Sequence, residues 1–259
     1  MALVTTQLED SVGTICFNDE KKHNVLSEAL IDGIIQAIDA LCKKKARVIV
    51  LRAPPGAKVW SAGHDVRELP LEGRDPLAYS DPLVTVLRAV QEAPLPVIAM
   101  IEGGVWGGAC DLALTCDILI GCPTSTFCMT PAKIGVPYNA TGILHFINTM
   151  GINIVNEMFF TAHPMSADRA ERWGILNHVV PTEQLEEFTY RMARQISTNS
   201  PLSISVIKEQ IRLLASAYPL SPATFERIQG LRRVVYDSKD YEEGIKAFIE
   251  KRPPVFDGN

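Results

Sequence analysis

Pro96-Val97-Ile98-Ala99-Met100-Ile101-Glu102-Gly103-Gly104-Val105-Trp106-Gly107-Gly108-Ala109-Cys110-Asp111 decides how this chain is read. The run 96–101 is apolar without interruption, the pattern of a strand covered on both faces. Residues 107–115 read as a helix. Between them, four glycines fall within the six residues 103–108. Each loses more backbone freedom on folding than another residue would, so close backbone approach or positive φ is expected here. The stretch is neither Gly-x-Gly-x-x-Gly nor a Walker loop, having no Gly-Lys-Ser/Thr. Two readings stand: tight packing of helix on strand, or a backbone site for a ligand.

The same grammar extends outward. Val48–Leu51 is another buried strand, stopped by Pro54-Pro55-Gly56. It leads into Val59-Trp60-Ser61-Ala62-Gly63-His64-Asp65, whose small residues let backbone approach a ligand and whose Asp65 would sit at a helix start. Taken alone, this segment is also an ordinary turn. Upstream, Leu3–Leu8 and Val12–Phe17 read as strands. Leu30, Ile31, Ile34, Ile35, Ile38 and Leu41 then mark one helical face, with Ser27 as N-cap. Downstream, Asp117–Gly121 and Ser125–Met129 read as strands. Strands alternating with helices imply an α/β domain with largely parallel pairing. From Ser166 the chain turns helical: 166–173, 182–198, 202–217, 221–237 and 239–251, broken by Pro181, Pro201 and Pro219. The boundary is set near residue 200, giving a core over 1–200 and a helical segment over 201–259. The apolar content of that segment, with Tyr236, Tyr241 and Phe248, suggests packing on a partner as well as on its own body.

Composition narrows the function. Of 259 residues, 47% are hydrophobic, enough for a large core that needs no disulfide or metal staple. Twenty-five basic against thirty acidic residues leave a net charge of −5, which argues against non-specific nucleic-acid binding. No apolar run approaches a membrane span, and the start lacks the pattern of a secretory signal. The six cysteines form no Cys-x-x-Cys pair, and four of them recur at six-residue intervals, which is not a zinc spacing. They read as small buried hydrophobes of a reducing cytoplasm.

Taken together, the two glycine-bearing segments resemble the enoyl-CoA hydratase/isomerase (crotonase) superfamily. The resemblance runs along nearly the whole chain. It covers Asn24-Val25-Leu26, Ser61–Asp65, Gly107–Asp111, Ser166–Pro181 and Glu243–Arg252. Gly73–Pro76, Val105–Gly108, Met129–Pro131, Gly135–Asn139 and Phe225–Gly230 resemble its methylmalonyl-CoA-decarboxylating branch. The resemblance implies a ββα superhelix (spiral) core, a C-terminal helical oligomerisation segment, and a trimer or dimer of trimers. It also implies an acyl-CoA substrate, with the His64 and Gly108 amides donating to the thioester oxygen. An enolate formed there would be held by two fixed donors, worth about 3 kcal/mol each.

The choice of reaction rests on the acid–base groups. Hydratases of this family use two glutamates. The first position is Asp111 here, one methylene shorter, and the second falls at Pro131, which cannot shuttle a proton. Decarboxylation of methylmalonyl-CoA, or a related malonyl-CoA derivative, needs no such pair and is the expected activity. The alternatives are a hydratase, isomerase or hydrolase of the same superfamily, and a non-catalytic acyl-CoA-binding subunit. Tyr138 is expected to orient the carboxylate or deliver a proton, and Thr130 to donate a hydroxyl. His64 has two candidate roles, backbone donor and side-chain partner of the leaving carboxylate, while Asp111 would help position water or a proton donor. Ala62, Gly63, Asp65 and Val66 would border the substrate. Lys21, Lys22, His23 and, by family analogy, Lys251 would meet the CoA nucleotide and phosphates. His145 reads as a helix-packing histidine. No metal, biotin or pyridoxal site is suggested.

Overall fold

The computed structural model describes residues 2–69, 79–215 and 222–256. The Gly73–Pro76 line, Pro219 and the side chain of Phe225 lie outside them. The chain opens with a hairpin, β1 (Val4–Glu9) and β2 (Val12–Phe17), paired antiparallel from Val4↔Phe17 to Glu9↔Val12. Asp10 and Ser11 both take positive φ, the two-residue turn that matches strand twist. Helix α1 (Glu28–Lys43) follows, and the Ser27 side chain accepts from Leu30 N as its cap.

A three-part unit then recurs. Strand β3 (Val48–Arg52) is followed by β4 (Val59–Ser61) and α2 (Pro82–Glu92). Next come β5 (Val97–Ile101), β6 (Gly104–Trp106) and α3 (Gly108–Thr115), then β7 (Ile118–Gly121), β8 (Thr126–Cys128) and α4 (Ala140–Thr149). The first strand of each unit joins one sheet and the second joins another. The chain therefore winds as the expected ββα superhelix. After α5 (Ile152–Thr161) come β9 (Met165–Ser166), α6 (Ala167–Arg172), β10 (His178–Val179) and α7 (Leu185–Ser197). The six-stranded sheet has the order β1-β2-β3-β5-β7-β10, parallel except at β1–β2. The four-stranded sheet is β4-β6-β8-β9, antiparallel only at β8–β9.

Burial explains the uninterrupted apolar runs. Ile49, Leu51, Val97, Ala99 and Ile101 face the main core with the buried stripe of α1. Val48, Val50, Ile98 and Met100 face Leu185 and Ala193 of α7 on the other side. Both glycine-bearing segments carry a short strand of the second sheet, β4 and β6, that was not expected in either. Three residues are too few to display an alternation. Asp65 caps only the short 3-10 turn Val66–Glu68.

The final helices are α8 (Pro201–Ala215), α9 (Pro222–Tyr236) and α10 (Lys239–Glu250). Tyr236, Tyr241 and Ile245 form a cluster with Leu69 and Val136 of the core. Gly135, at φ +66°, lies so close to α10 that a Cβ would stand 2.8 Å from the Asp240 carbonyl oxygen. Helix α8 buries no residue, and the Lys208 ammonium tethers it to the Asp117 carboxylate at 2.8 Å and to the Val90 and Leu95 carbonyls at 3.0 Å. Among the described residues no helix is long and apolar enough to cross a membrane.

Candidate active site

Two turns meet where β4 and β6 end. Gly63 has φ +83°, and a Cβ there would stand 2.9 Å from Gly108 N and run into the Trp106 carbonyl. Only glycine lets the two turns touch. Gly107, at φ +53° and ψ −127°, gives its N–H to Cys128 O at 2.8 Å and aims the following residue into α3. A Cβ on Gly108 would stand 3.5 Å from the His64 nitrogen. The two backbone nitrogens singled out from sequence are therefore neighbours. Among the described residues no protein acceptor takes either N–H. The first amides of α3 lack intrahelical partners and sit at the positive end of the helix, which suits a developing anion.

The His64 turn is held from behind by residues 23–26. Leu26 N donates to Gly63 O at 2.7 Å, Ala62 N to His23 O at 2.9 Å, and Ser61 Oγ to Asn24 O at 2.7 Å. Asn24, fully buried, donates through Nδ2 to the Trp60 carbonyl at 3.1 Å.

These amides border a cavity of about 600 Å³. Its wall includes Ala62, His64, Asp65, Val66, Gly108, Thr130 and Tyr138, all expected at the substrate. Gly63 shapes the turn without lining the cavity. Leu83, Trp106, Ile134 and Val136 make the wall mostly apolar, while Lys22, Arg67 and Lys133 bring positive charge to it, with His23 beside Lys22. Lys21 and Lys251 are not in the wall. Lys251 caps α10 three residues beyond Phe248, which is. The Asp65 carboxylate takes Arg67 Nε at 2.8 Å and is held below the usual carboxylate range by that guanidinium. His64 Nδ1 is buried and has no hydrogen-bond partner among the described residues. Pro131 is buried and opens a 3-10 turn, Pro131–Ile134, at the site where a second glutamate would be needed.

Asp111 is fully buried behind Tyr138 and outside the cavity wall. Its Oδ2 accepts from Tyr138 Oη at 2.9 Å, and its Oδ1 lies 2.9 Å from His145 Nδ1. Burial pushes the Tyr138 hydroxyl well above the usual tyrosine range, and the Asp111 charge pushes the same way. Burial pulls the His145 imidazole down, but the hydrogen bond and charge of Asp111 outweigh it, so the pKa is raised. His145 does pack within the helices, yet it also belongs to this network. Nothing local signals that: the two residues are 34 positions apart.

The Enoyl-CoA hydratase/isomerase family profile matches residues 7–259. The chain belongs to that family. Within it, the chain is 52% identical over 250 residues to the Escherichia coli (strain K12) methylmalonyl-CoA decarboxylase, covering 96% of each chain. It is 30% identical to a probable mitochondrial enoyl-CoA hydratase of Dictyostelium discoideum over 97% of this chain and 90% of that one. Among solved structures of the family, methylmalonyl-CoA decarboxylase in complex with 2-nitronate-propionyl-CoA superposes with a TM-score of 0.97, at 50% identity and 99% coverage of both chains. The same enzyme complexed with 2S-carboxypropyl CoA also gives 0.97, covering 100% of this chain and 99% of that one.

Proposed function

We propose that this chain decarboxylates methylmalonyl-CoA, or a related malonyl-CoA ester, to propionyl-CoA or its homologue. The observation that carries the reading is the pair of adjacent His64 and Gly108 amides bordering a cavity that has Pro131 where a hydratase needs its second carboxylate. Among the described residues Asp65 is the one carboxylate in the cavity wall, and Arg67 occupies it. The similarity to the E. coli decarboxylase supports the same choice.

The thioester oxygen accepts from both amides. The bond between the α-carbon and the carboxylate breaks, its electron pair moves into the thioester as an enolate, and CO2 leaves. One proton, taken from solvent water, adds at the α-carbon and completes the product. Each amide contributes about 3 kcal/mol as charge grows on the oxygen. Leu83, Trp106 and Val136 solvate a carboxylate poorly and neutral CO2 well, so the apolar wall favours the departing form. His64 Nδ1 and the Thr130 hydroxyl are the polar handles that turn the carboxylate out of the thioester plane. Tyr138 works by position: a buried phenol whose proton is held by Asp111 is a poor acid. Lys22, His23 and Lys133 hold the CoA phosphates, with Lys251 reaching them from the end of α10.

Residues 201–259 form the self-association segment. Leu202, Ile211 and Leu214 on α8 and Val234 on α9 are each more than 60% exposed in the single chain, apolar surface that a trimer or dimer of trimers would cover. The six free thiols suit a reducing cytoplasm. Assaying CO2 release from malonyl-, methylmalonyl- and ethylmalonyl-CoA beside hydration of crotonyl-CoA tests the activity. Hydration without CO2 release sinks it. Sedimentation velocity tests the assembly, and a monomer at micromolar concentration refutes it.

A further inference from the structure

The geometry points to His145 as a positioning residue for Tyr138, acting through the buried carboxylate of Asp111. Among the described residues the Asp111 carboxylate has two hydrogen-bonding partners, one per oxygen, each at 2.9 Å: the Tyr138 hydroxyl and His145 Nδ1. On the other side of the ring, His145 Nε2 lies 3.0 Å from Gln91 Nε2 on α2. In the neutral ring, the Gln91 amide donates to Nε2 and leaves the proton on Nδ1 for Asp111. In the charged ring, Gln91 presents its amide oxygen instead, and Nδ1 still donates. Either way the carboxylate keeps two donors.

The inference rests on the reading of Tyr138 given above. Asp111 does not line the cavity, whereas Tyr138 does. A group without access to the substrate influences the reaction through the one that has it. Asp111 is one methylene shorter than the glutamate used by the family's hydratases, and His145 meets the carboxylate in its withdrawn position. Among the described residues the groups bonded to His145 are Asp111 on α3, neutral Gln91 on α2, and its own helix, whose Thr149 hydroxyl bonds the His145 carbonyl at 2.8 Å. With His145 removed, a fully buried carboxylate keeps a single donor. It must then turn towards another donor or lean further on the Tyr138 hydroxyl. Both outcomes change how the Tyr138 hydroxyl is held. Binding of the CoA moiety rests on Lys22, His23 and Lys133 and is not touched.

The test is a double-mutant cycle on full-length protein with methylmalonyl-CoA, using Tyr138→Phe, His145→Leu, His145→Asn and the Tyr138→Phe/His145→Leu pair, each checked by circular dichroism and thermal melting. Tyr138→Phe removes the hydroxyl that anchors the ring to Asp111 and is expected to lower kcat about 100-fold, the cost of a misplacement of about 1 Å at the reacting centre. His145→Leu should lower kcat about tenfold with KM within about twofold, and His145→Asn, whose amide nitrogen can replace Nδ1, should recover most of that loss. The double variant should match Tyr138→Phe alone, because two residues acting through one group do not add. A low kcat in Tyr138→Phe with wild-type kcat in His145→Leu overturns the His145 role alone, as does a double variant whose losses multiply. Should His145→Leu fail to fold, His145→Asn at a kcat below a tenth of wild type overturns it equally. Wild-type kcat in Tyr138→Phe overturns the reading of Tyr138 itself.

Discussion

Gly142→Ala offers a way to move Tyr138 without altering its chemistry. Gly142 is the third residue of α4, and a Cβ there would stand 2.9 Å from Tyr138 Cδ1, closer still to Cε1, and 2.7 Å from Asp111 Oδ2. Carbon atoms pack at about 3.5–4.0 Å, so the ring must withdraw by about 1 Å. Alanine is the better helix former by about 1 kcal/mol. Overpacking costs about 1–3 kcal/mol. The two nearly offset, and the net destabilisation should be no more than about 2 kcal/mol. Turnover has no such compensation: a 1 Å misplacement at a reacting centre costs about 100-fold. The assay is steady-state CO2 release with a parallel thermal melt. Expected are a folded protein with a melting temperature within a few degrees of wild type, kcat reduced about 100-fold and KM little changed. A folded variant with wild-type kcat would show that the ring's position does not matter, and the role assigned to Tyr138 would be lost.

Three further predictions follow from the same geometry. Gly108→Pro removes one of the two amide donors and should cost at least about 100-fold in kcat with modest loss of CoA-ester binding, measured by kinetics and calorimetry once folding is verified. The His145 pKa is raised by Asp111 on folding, so its contribution to stability is fully present below the ordinary histidine value of about 6.5 and is lost as pH rises through the raised value. Urea melts should accordingly show a larger gap between wild type and His145→Leu at pH 6 than at pH 9; a gap independent of pH would contradict the pairing. Lys22→Ala with Lys133→Ala should raise KM for the CoA ester and flatten its salt dependence while kcat stays within about twofold, as expected of remote phosphate contacts.

Much of this architecture was legible because its signals are local. Ser27 capping α1 and the apolar runs at 48–51 and 96–101 depend on near neighbours and appear where expected. The strands β4 and β6 are three residues each and carry no period to read. Helices α2, α4 and α5 lie between the elements expected from periodicity, although Asp81, with Leu83, Val86, Leu87 and Val90, is a capped amphipathic stripe in plain view. The site divides the same way. His64 and Gly108 are marked by the glycines that make their meeting sterically possible. The bond between Asp111 and His145 joins two helices, and no spacing rule reaches across that distance. Lys251 was carried by analogy with the family, and in the single chain it stands outside the wall it was expected to complete.

In the proposed reading, residues 22–26 serve both ends of the ligand at once. Lys22 and His23 face the cavity, while the backbone and side chains of 23–26 fasten the strand end and turn that carry the His64 amide. Among the described residues nothing resembling a hinge separates the two duties. On that reading, the stretch that seats the nucleotide also fixes the carbonyl's donor, so one short run of backbone sets the distance between the two ends of the ligand.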